Sequence, residues 1–392
     1  MSDYPSDWRE CLLGEVVEKI TSGGTPKADN PDLYGGDIPF LKIDDITSSS
    51  KYLRSHKVTI NERGLSESSA KIVPTGTILL TMYGTIGRCC ITTYPVATNQ
   101  AIASFLGHPE VELEYLYYTL ESKTDEFATA SSQTTQANIS AGILKQTPIA
   151  IPPLPEQKKI AEILSGIDIE IAVLVRAKEK LERIALAYLG IAVPPDCESL
   201  ELQQLCKITD GAHKTPTYTT EGVPFLRVTD IKSGQLDQSS FKFIPIEEHL
   251  ELTRRCRPEK GDVLLSKNGT IGIPRLIDWD WEFSIFVSLA LLKIKDINKI
   301  LPEFLEMLLV SPSLTSQMFA TSKQGTVTNL HLEEIRKFKI HLPPPEEQFE
   351  IVRKYRSLNG LIGNYSLLIE KKSLLKRGLS SDLLSGRKRV CI

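Results

Sequence analysis

Ile38-Pro39-Phe40-Leu41-Lys42-Ile43-Asp44-Asp45-Ile46 returns 185 residues later as Val223-Pro224-Phe225-Leu226-Arg227-Val228-Thr229-Asp230-Ile231. Gly76-Thr77-Ile78-Leu79-Leu80-Thr81-Met82-Tyr83-Gly84-Thr85-Ile86-Gly87 returns at the same offset of 185 as Gly261-Asp262-Val263-Leu264-Leu265-Ser266-Lys267-Asn268-Gly269-Thr270-Ile271-Gly272. By Asn138-Ile139 against Asn329-Leu330 the offset has grown to 191, which a small loop insertion explains. Self-similarity of this kind means one folded unit used twice. The chain therefore reads as module, rod, module, rod, with an internal pseudo-two-fold repeat.

The rods are two long helical patterns. Each opens on nearly the same phrase, Ile151-Pro152-Pro153-Leu154-Pro155-Glu156-Gln157 and Leu342-Pro343-Pro344-Pro345-Glu346-Glu347-Gln348. Proline is tolerated in a first helical turn and breaks an interior, so the helices are expected to begin at or just after Pro155 and Pro345. Ile160, Leu164, Ile167, Ile171, Leu174, Lys178, Leu181, Ala185 and Tyr188 follow at alternating steps of four and three, the spacing of a coiled-coil seam. The second helix offers Ile351, Tyr355, Leu358, Ile362, Tyr365 and Ile369, after which its stripe reads as drifting through Leu375, Leu379 and Leu383. One such helix would pass as an ordinary amphipathic core helix. Two, matched in lead-in and length, are most economically buried against each other. A helix of roughly 34 residues is about 51 Å long at 1.5 Å per residue.

Within each module the pattern is mixed. Segments 38–46 and 77–81 cluster β-branched and apolar residues between glycines and prolines as strands do, whereas 112–121 and 302–309 carry helical spacing. Each module is thus expected to be α/β or α+β with many loops. Four polar loops recur in both copies. They hold Thr25 and Lys27 against His213, Lys214 and Thr215; Lys42 and Asp44 against Arg227 and Thr229; Tyr83, Thr85 and Arg88 against Lys267, Asn268 and Thr270; and Gln136 and Asn138 against Gln324 and Asn329. The residue types change while the frame stays, which suits two sites reading different targets.

Catalytic signatures are missing: there is no G-x-x-x-x-G-K-[ST] loop, no H-E-x-x-H, no G-x-S-x-G and no G-x-G-x-x-G after a strand. The six histidines are dispersed, and the seven cysteines form no C-x-x-C pair, so no metal site is expected and the thiols read as reduced and structural. The carboxylate pair Asp44-Asp45 faces Thr229-Asp230 in the other copy, where a catalytic pair would survive. Gly84-Thr85-Ile86-Gly87 and its copy follow a strand rather than joining two helices, so they read as tight turns, not as KH-type loops. A formal charge of −3 does not announce a nucleic-acid binder, although a sum can hide a basic face. Basic residues do gather in Lys371, Lys372, Lys376, Arg377, Arg387, Lys388 and Arg389, a solvated face, a phosphate contact or a dock for an acidic partner. No apolar run reaches the eighteen or so residues of a membrane span, and the first eighteen residues lack a signal-peptide core, so the cytoplasm is the expected compartment.

Taken together, the doubled I-P-F-L-K-I-D-D-I segment, the doubled G-T-I-L-L strand with its G-T-I-G turn and the doubled proline-Glu-Gln helix entry resemble the specificity (S) subunit of type I restriction-modification systems, over nearly the whole chain. The resemblance implies target-recognition domains at residues 1–154 and 191–344, spacer helices at 155–190 and 345–386 packed as an antiparallel coiled coil, and a basic tail at 387–392. Each domain would read one half of a bipartite site on double-stranded DNA, and the helices would set the gap and dock two methyltransferase (M) subunits. Ile160, Leu164, Ile167, Ile171, Leu174 and Leu181, with Ile351, Tyr355, Leu358, Ile362 and Tyr365, would be the helix residues concerned. The chain itself would be non-catalytic. S-adenosylmethionine would sit on the M subunits, which methylate adenine N6; ATP and Mg would sit on restriction (R) subunits. For base readout, Gln136, Asn138, Gln324 and Asn329 suit adenine and Arg88, Arg227 and Lys267 suit guanine, while the remaining Ser, Thr and Lys residues suit phosphate. Two readings compete. One is a structural coiled-coil adaptor that never touches DNA. The other is a self-sufficient DNA methyltransferase, for which Ile151-Pro152-Pro153-Leu154 lacks both flanks of the [DN]-P-P-[YF] motif.

Overall fold

The computed structural model describes residues 4–132, 138–231, 236, 238–321 and 329–391. The chain divides into two compact units, Met1–Leu174 with Leu368–Ile392, and Val175–Leu367.

In the first unit an antiparallel sheet orders Lys19–Ser22, Ile102–Leu106, Ile78–Thr81 and Cys89–Ile91. Every residue of Ile78–Thr81 is buried, because Ile78 and Leu80 face one apolar cluster with Phe105, Tyr115 and Ile160 while Leu79 faces another with Leu41, Ile46 and Val73. A strand covered on both faces reads as a continuous apolar run. A second sheet orders Val58–Ile60, Tyr34–Leu41, Val96–Thr98 and Ile72–Val73, with its central pair parallel. Arg9–Leu12 pairs with Pro148–Ile151, closing the module just before the first long helix, Leu154–Ile191.

The second unit repeats this plan. Cys206–Asp210, Leu289–Ile294, Val263–Ser266 and Pro274–Leu276 form the four-stranded sheet, and Lys242–Ile244, Val223–Leu226 and Ser284–Ile285 a three-stranded one. Glu198–Glu201 pairs with Lys339–Leu342, just before the second long helix, Pro345–Leu384. The expected mixed modules in tandem are therefore present.

The strand expected over 38–46 stops at Leu41. Asp45 accepts from the Lys42 N–H at 2.9 Å and the Lys57 N–H at 3.2 Å, turning Ile43–Thr47 into a short helix. Asp230 does the same for the Arg227 N–H at 2.8 Å. The aspartate common to both copies is a cap, hence its presence without its neighbour. Both glycines of each G-T-I-G turn have positive φ: 65° and 83° at Gly84 and Gly87, 76° and 81° at Gly269 and Gly272.

The repeated glutamine of the helix entry is buried in both units. Gln157 accepts from the Glu112 N–H at 2.8 Å and donates to the Pro152 carbonyl at 2.9 Å. Gln348 accepts from the Leu301 N–H at 2.9 Å and donates to the Pro343 and Lys299 carbonyls, both at 2.8 Å. Each thereby ties a long helix to the start of its module's own helix, Leu113–Ser122 or Pro302–Leu309, meeting an orphan N–H there.

In the first unit the early part of the first long helix meets the late part of the second, through Glu170 with Lys372 at 2.5 Å and Asp168 with Lys376 at 2.8 Å. In the second unit the Tyr188 hydroxyl, late in the first helix, donates to the Ile351 carbonyl, early in the second. Early residues meet late ones both times, so the two helices run antiparallel. The expected drift of the second stripe does not occur. Leu375 is 48% exposed, and the four-three register continues through Lys372, Lys376, Leu379 and Leu383. Two lysines occupy seam positions because acids on the facing helix meet them.

Five of the seven basic residues near the end are paired, while Lys371 and Arg377 are exposed. Besides Lys372 and Lys376, Arg387 and Lys388 pair with Asp382, and Arg389 pairs with Asp7 and the buried Glu156. Glu156 also accepts from the Trp8 indole at 3.2 Å.

Candidate nucleic-acid interface

In the first unit the polar loops converge on one short segment, Thr98–Ala101, which sequence reasoning missed. The first loop turns so closely on it that a Cβ at Gly23 would lie 1.7 Å from the Thr98 carbonyl oxygen, and the Gly24 N–H donates to that oxygen at 3.1 Å. Beside it the Thr25 hydroxyl donates to Gln100 at 2.6 Å. The Asn99 N–H reaches the Leu41 carbonyl, placing Lys42 alongside, and the Ala101 carbonyl accepts from the Met82 N–H at 2.8 Å. Tyr83 then bridges Asn138, and the Ile139 N–H donates to the Met82 carbonyl. Thr25, Lys42, Tyr83 and Asn138 thus come to one edge, with Lys27, Lys42, Asp44, Tyr83 and Thr85 exposed. Arg88 is also exposed, but it lines a cleft of about 760 Å³ together with Glu121, Lys376 and Arg377. It stands apart from the loop edge where a guanine contact was expected.

The second unit has the same wiring around Ile285–Ser288. A Cβ at Gly211 would lie 1.9 Å from the Ile285 carbonyl oxygen, which accepts from the Ala212 N–H. The Phe286 N–H reaches the Leu226 carbonyl, the Lys267 N–H the Ser288 carbonyl, and the Leu330 N–H the Lys267 carbonyl. Asn268 bridges Asn329 as Tyr83 bridges Asn138. No repeat signal pointed to the hub, since Asn99-Gln100-Ala101 faces Phe286-Val287-Ser288; a polar T-N-Q run straight after a buried strand was the one available hint.

Charge separates the two edges. Asp210 is buried and meets two cationic groups, Arg255 at 3.0 Å and Lys267 at 3.3 Å, and the His213 imidazole at 3.2 Å. Burial pushes its carboxyl up, but His213, Lys267 and Arg255 together pull it below its usual 3.8. Two expected guanine readers are held inward. Lys267 is only 6% exposed and faces Asp210. Arg227 offers its fork to Asp230, at 3.1 Å from Nε and 3.0 Å from an Nη, because a guanidinium fork matches a carboxylate. His213, Lys214, Thr215, Thr229 and Thr270 are exposed, Asn268 and Asn329 half-buried. Gln136 and Gln324 lie outside the described residues.

Among the described residues no group of His, Cys, Asp and Glu could hold a metal, and no helix is long and apolar enough to cross a membrane.

The family model described as the type I restriction modification DNA specificity domain matches residues 5–183 and again residues 194–362. The MjaIX type I restriction enzyme specificity subunit of Methanocaldococcus jannaschii is 26% identical, over 98% of this chain and 94% of its own length. The EcoBI specificity subunit of Escherichia coli is 24% identical, over 88% of this chain and 78% of its own. Among solved structures, the S subunit of a type I system from M. genitalium aligns with a TM-score of 0.55 at 16% identity, over 98% of this chain and 99% of that one. A chain from a study of complex assembly and conformational transition of the type I R-M system aligns with a TM-score of 0.66 at 18% identity, over the same shares. At these identities the structures speak for the fold alone.

Proposed function

This chain belongs to the type I restriction-modification DNA specificity family, and from that premise we propose that it is the DNA-recognition subunit of such a complex, each unit reading one half of a bipartite target. The observation that carries the reading is the twice-built loop edge: the same backbone wiring in both units, with different side chains at its tips. A fixed frame with variable polar tips is what base-edge recognition requires, since each base pair presents its own donors and acceptors in the major groove.

The chain is non-catalytic in this reading. Two M subunits carry S-adenosylmethionine and methylate adenine N6, and R subunits, where present, bring ATP and Mg. The long helices set the gap between half-sites and dock the M subunits, in keeping with exposed apolar residues such as Ile169, Val173, Leu361 and Leu368 along them. With a net charge of −3, much of the phosphate attraction comes from the partners. The complex works on DNA in the cytoplasm.

The test is co-expression with the M subunit in a host free of other N6-adenine methylation, followed by genome-wide mapping of N6-methyladenine. A bipartite motif with a constant gap is expected. Soluble, associated proteins that leave no new motif would overturn the reading and favour the adaptor.

A further inference from the structure

The buried Asp210 cluster of the second unit has no counterpart in the first. Gly23 and Gly211 each press on the hub carbonyl, Thr98 or Ile285, which aligns Ser22 with Asp210 and Thr25 with His213; Met82 stands where Lys267 does. One edge is therefore uncharged at these positions and the other is built on a carboxylate with two cationic neighbours, Lys267 and Arg255, and the His213 imidazole. Lys267 faces Asp210 from inside, so it balances the buried charge rather than reaching outward. Arg255 and His213 are the outward members, with side chains 54% and 64% exposed.

We propose that Asp210 is a positioning residue for DNA contacts peculiar to the second unit, fixing Arg255 for a phosphate oxygen and His213 for a base edge. The inference rests on the DNA-reading function proposed above. Arg255 has five N–H donors. Three are engaged inward, by the Asp210 carboxylate at 3.0 Å, the Asp210 carbonyl at 2.9 Å and the Gly211 carbonyl. The two left over, on Nε and Nη1, are not the parallel pair that guanine's O6 and N7 need, and they suit a single phosphate oxygen. For His213, the carboxylate partner requires the proton on Nε2. Nδ1 is then without a partner among the described residues and, in the neutral ring, accepts from an exocyclic amino group, adenine N6 or cytosine N4.

The experiment uses the full chain with its M subunit, the mapped methylation motif and duplexes carrying that motif. His213→Ala should relax one position in a single half of the motif, by about tenfold in discrimination. Arg255→Ala should weaken binding about tenfold on all duplexes and reduce the salt slope by about one, leaving the motif intact. Asp210→Asn strands Lys267 and risks the fold, so the double variant Asp210→Ser with Lys267→Met, which borrows the first unit's residues, is the sharper probe. It should reproduce both effects together. Single variants with wild-type motif, affinity and salt slope would overturn the proposal, as would changes divided between both halves. A wild-type complex that writes no bipartite motif would fail the function itself, before any variant is made.

Discussion

Gln157 and Gln348 show how much one side chain can organise. Each is buried in the first turn of a long helix and makes three hydrogen bonds to backbone groups. Truncation leaves a buried N–H and carbonyl unpaired, costing about 1–3 kcal/mol. Gln157→Ala or Gln348→Ala should therefore lower unfolding free energy by about 2 kcal/mol in denaturant titration, while Glu346→Ala, at an exposed neighbour, should change it by less than about 0.5 kcal/mol. Asp210 adds a pH dependence of known sign. Its carboxyl is held below 3.8 in the folded chain, so its stabilisation is present above that value and is lost as pH falls through the lowered folded value. The stability difference between wild type and Asp210→Asn should be full at neutral pH and shrink in acid below the usual carboxylate range. A difference that held constant down to acid would contradict this assignment.

At the scale of elements, the long helices were legible because their prolines and their four-three spacing are local signals. Their seam was legible only where it is apolar. Lys372 and Lys376 sit on it unannounced, since a lysine at a seam position reads as an interruption until the facing Glu170 and Asp168 are known. The apolar-looking Leu375 took the eye instead. The loop frame shows the same division. Its glycines and its repeated strands could be read from the chain, but the hub residues Asn99 and Phe286 differ between copies and are joined to the loops by backbone bonds, which leave no mark on side-chain identity. The two readings of the seam predict opposite results. Lys376→Ala leaves Asp168 and Glu121 facing each other without their cation and should cost about 2 kcal/mol, less than the 3–5 of a fully buried pair because both acids keep some solvent. Leu375→Ala should cost less than about 0.5 kcal/mol. Gly360→Ala, at an exposed helical site where a Cβ meets nothing within 4 Å, should raise stability by up to about 1 kcal/mol. Thermal unfolding of the three variants compares them directly.

At the scale of the whole chain, the repeat makes each module a transferable part. Its two ends pair with each other, Arg9–Leu12 with Pro148–Ile151 in the first copy and Glu198–Glu201 with Lys339–Leu342 in the second. The glutamine after each closing strand finds the same kind of backbone partner in either module. A module cut at these strands therefore carries its sheets, hub and loop tips with it and meets an equivalent helix entry at the other position. A chain with residues 198–342 in place of 9–151 should fold and, with M subunits, should write a motif whose two halves are the same sequence. Methylation mapping of that chain checks both points at once. Two identical half-sites would mean that recognition resides wholly within the module. A half written from the first position that differs from the second module's own would mean that the helix ends or the tail at Arg389, which meets Glu156 in the first unit alone, contribute to what is read.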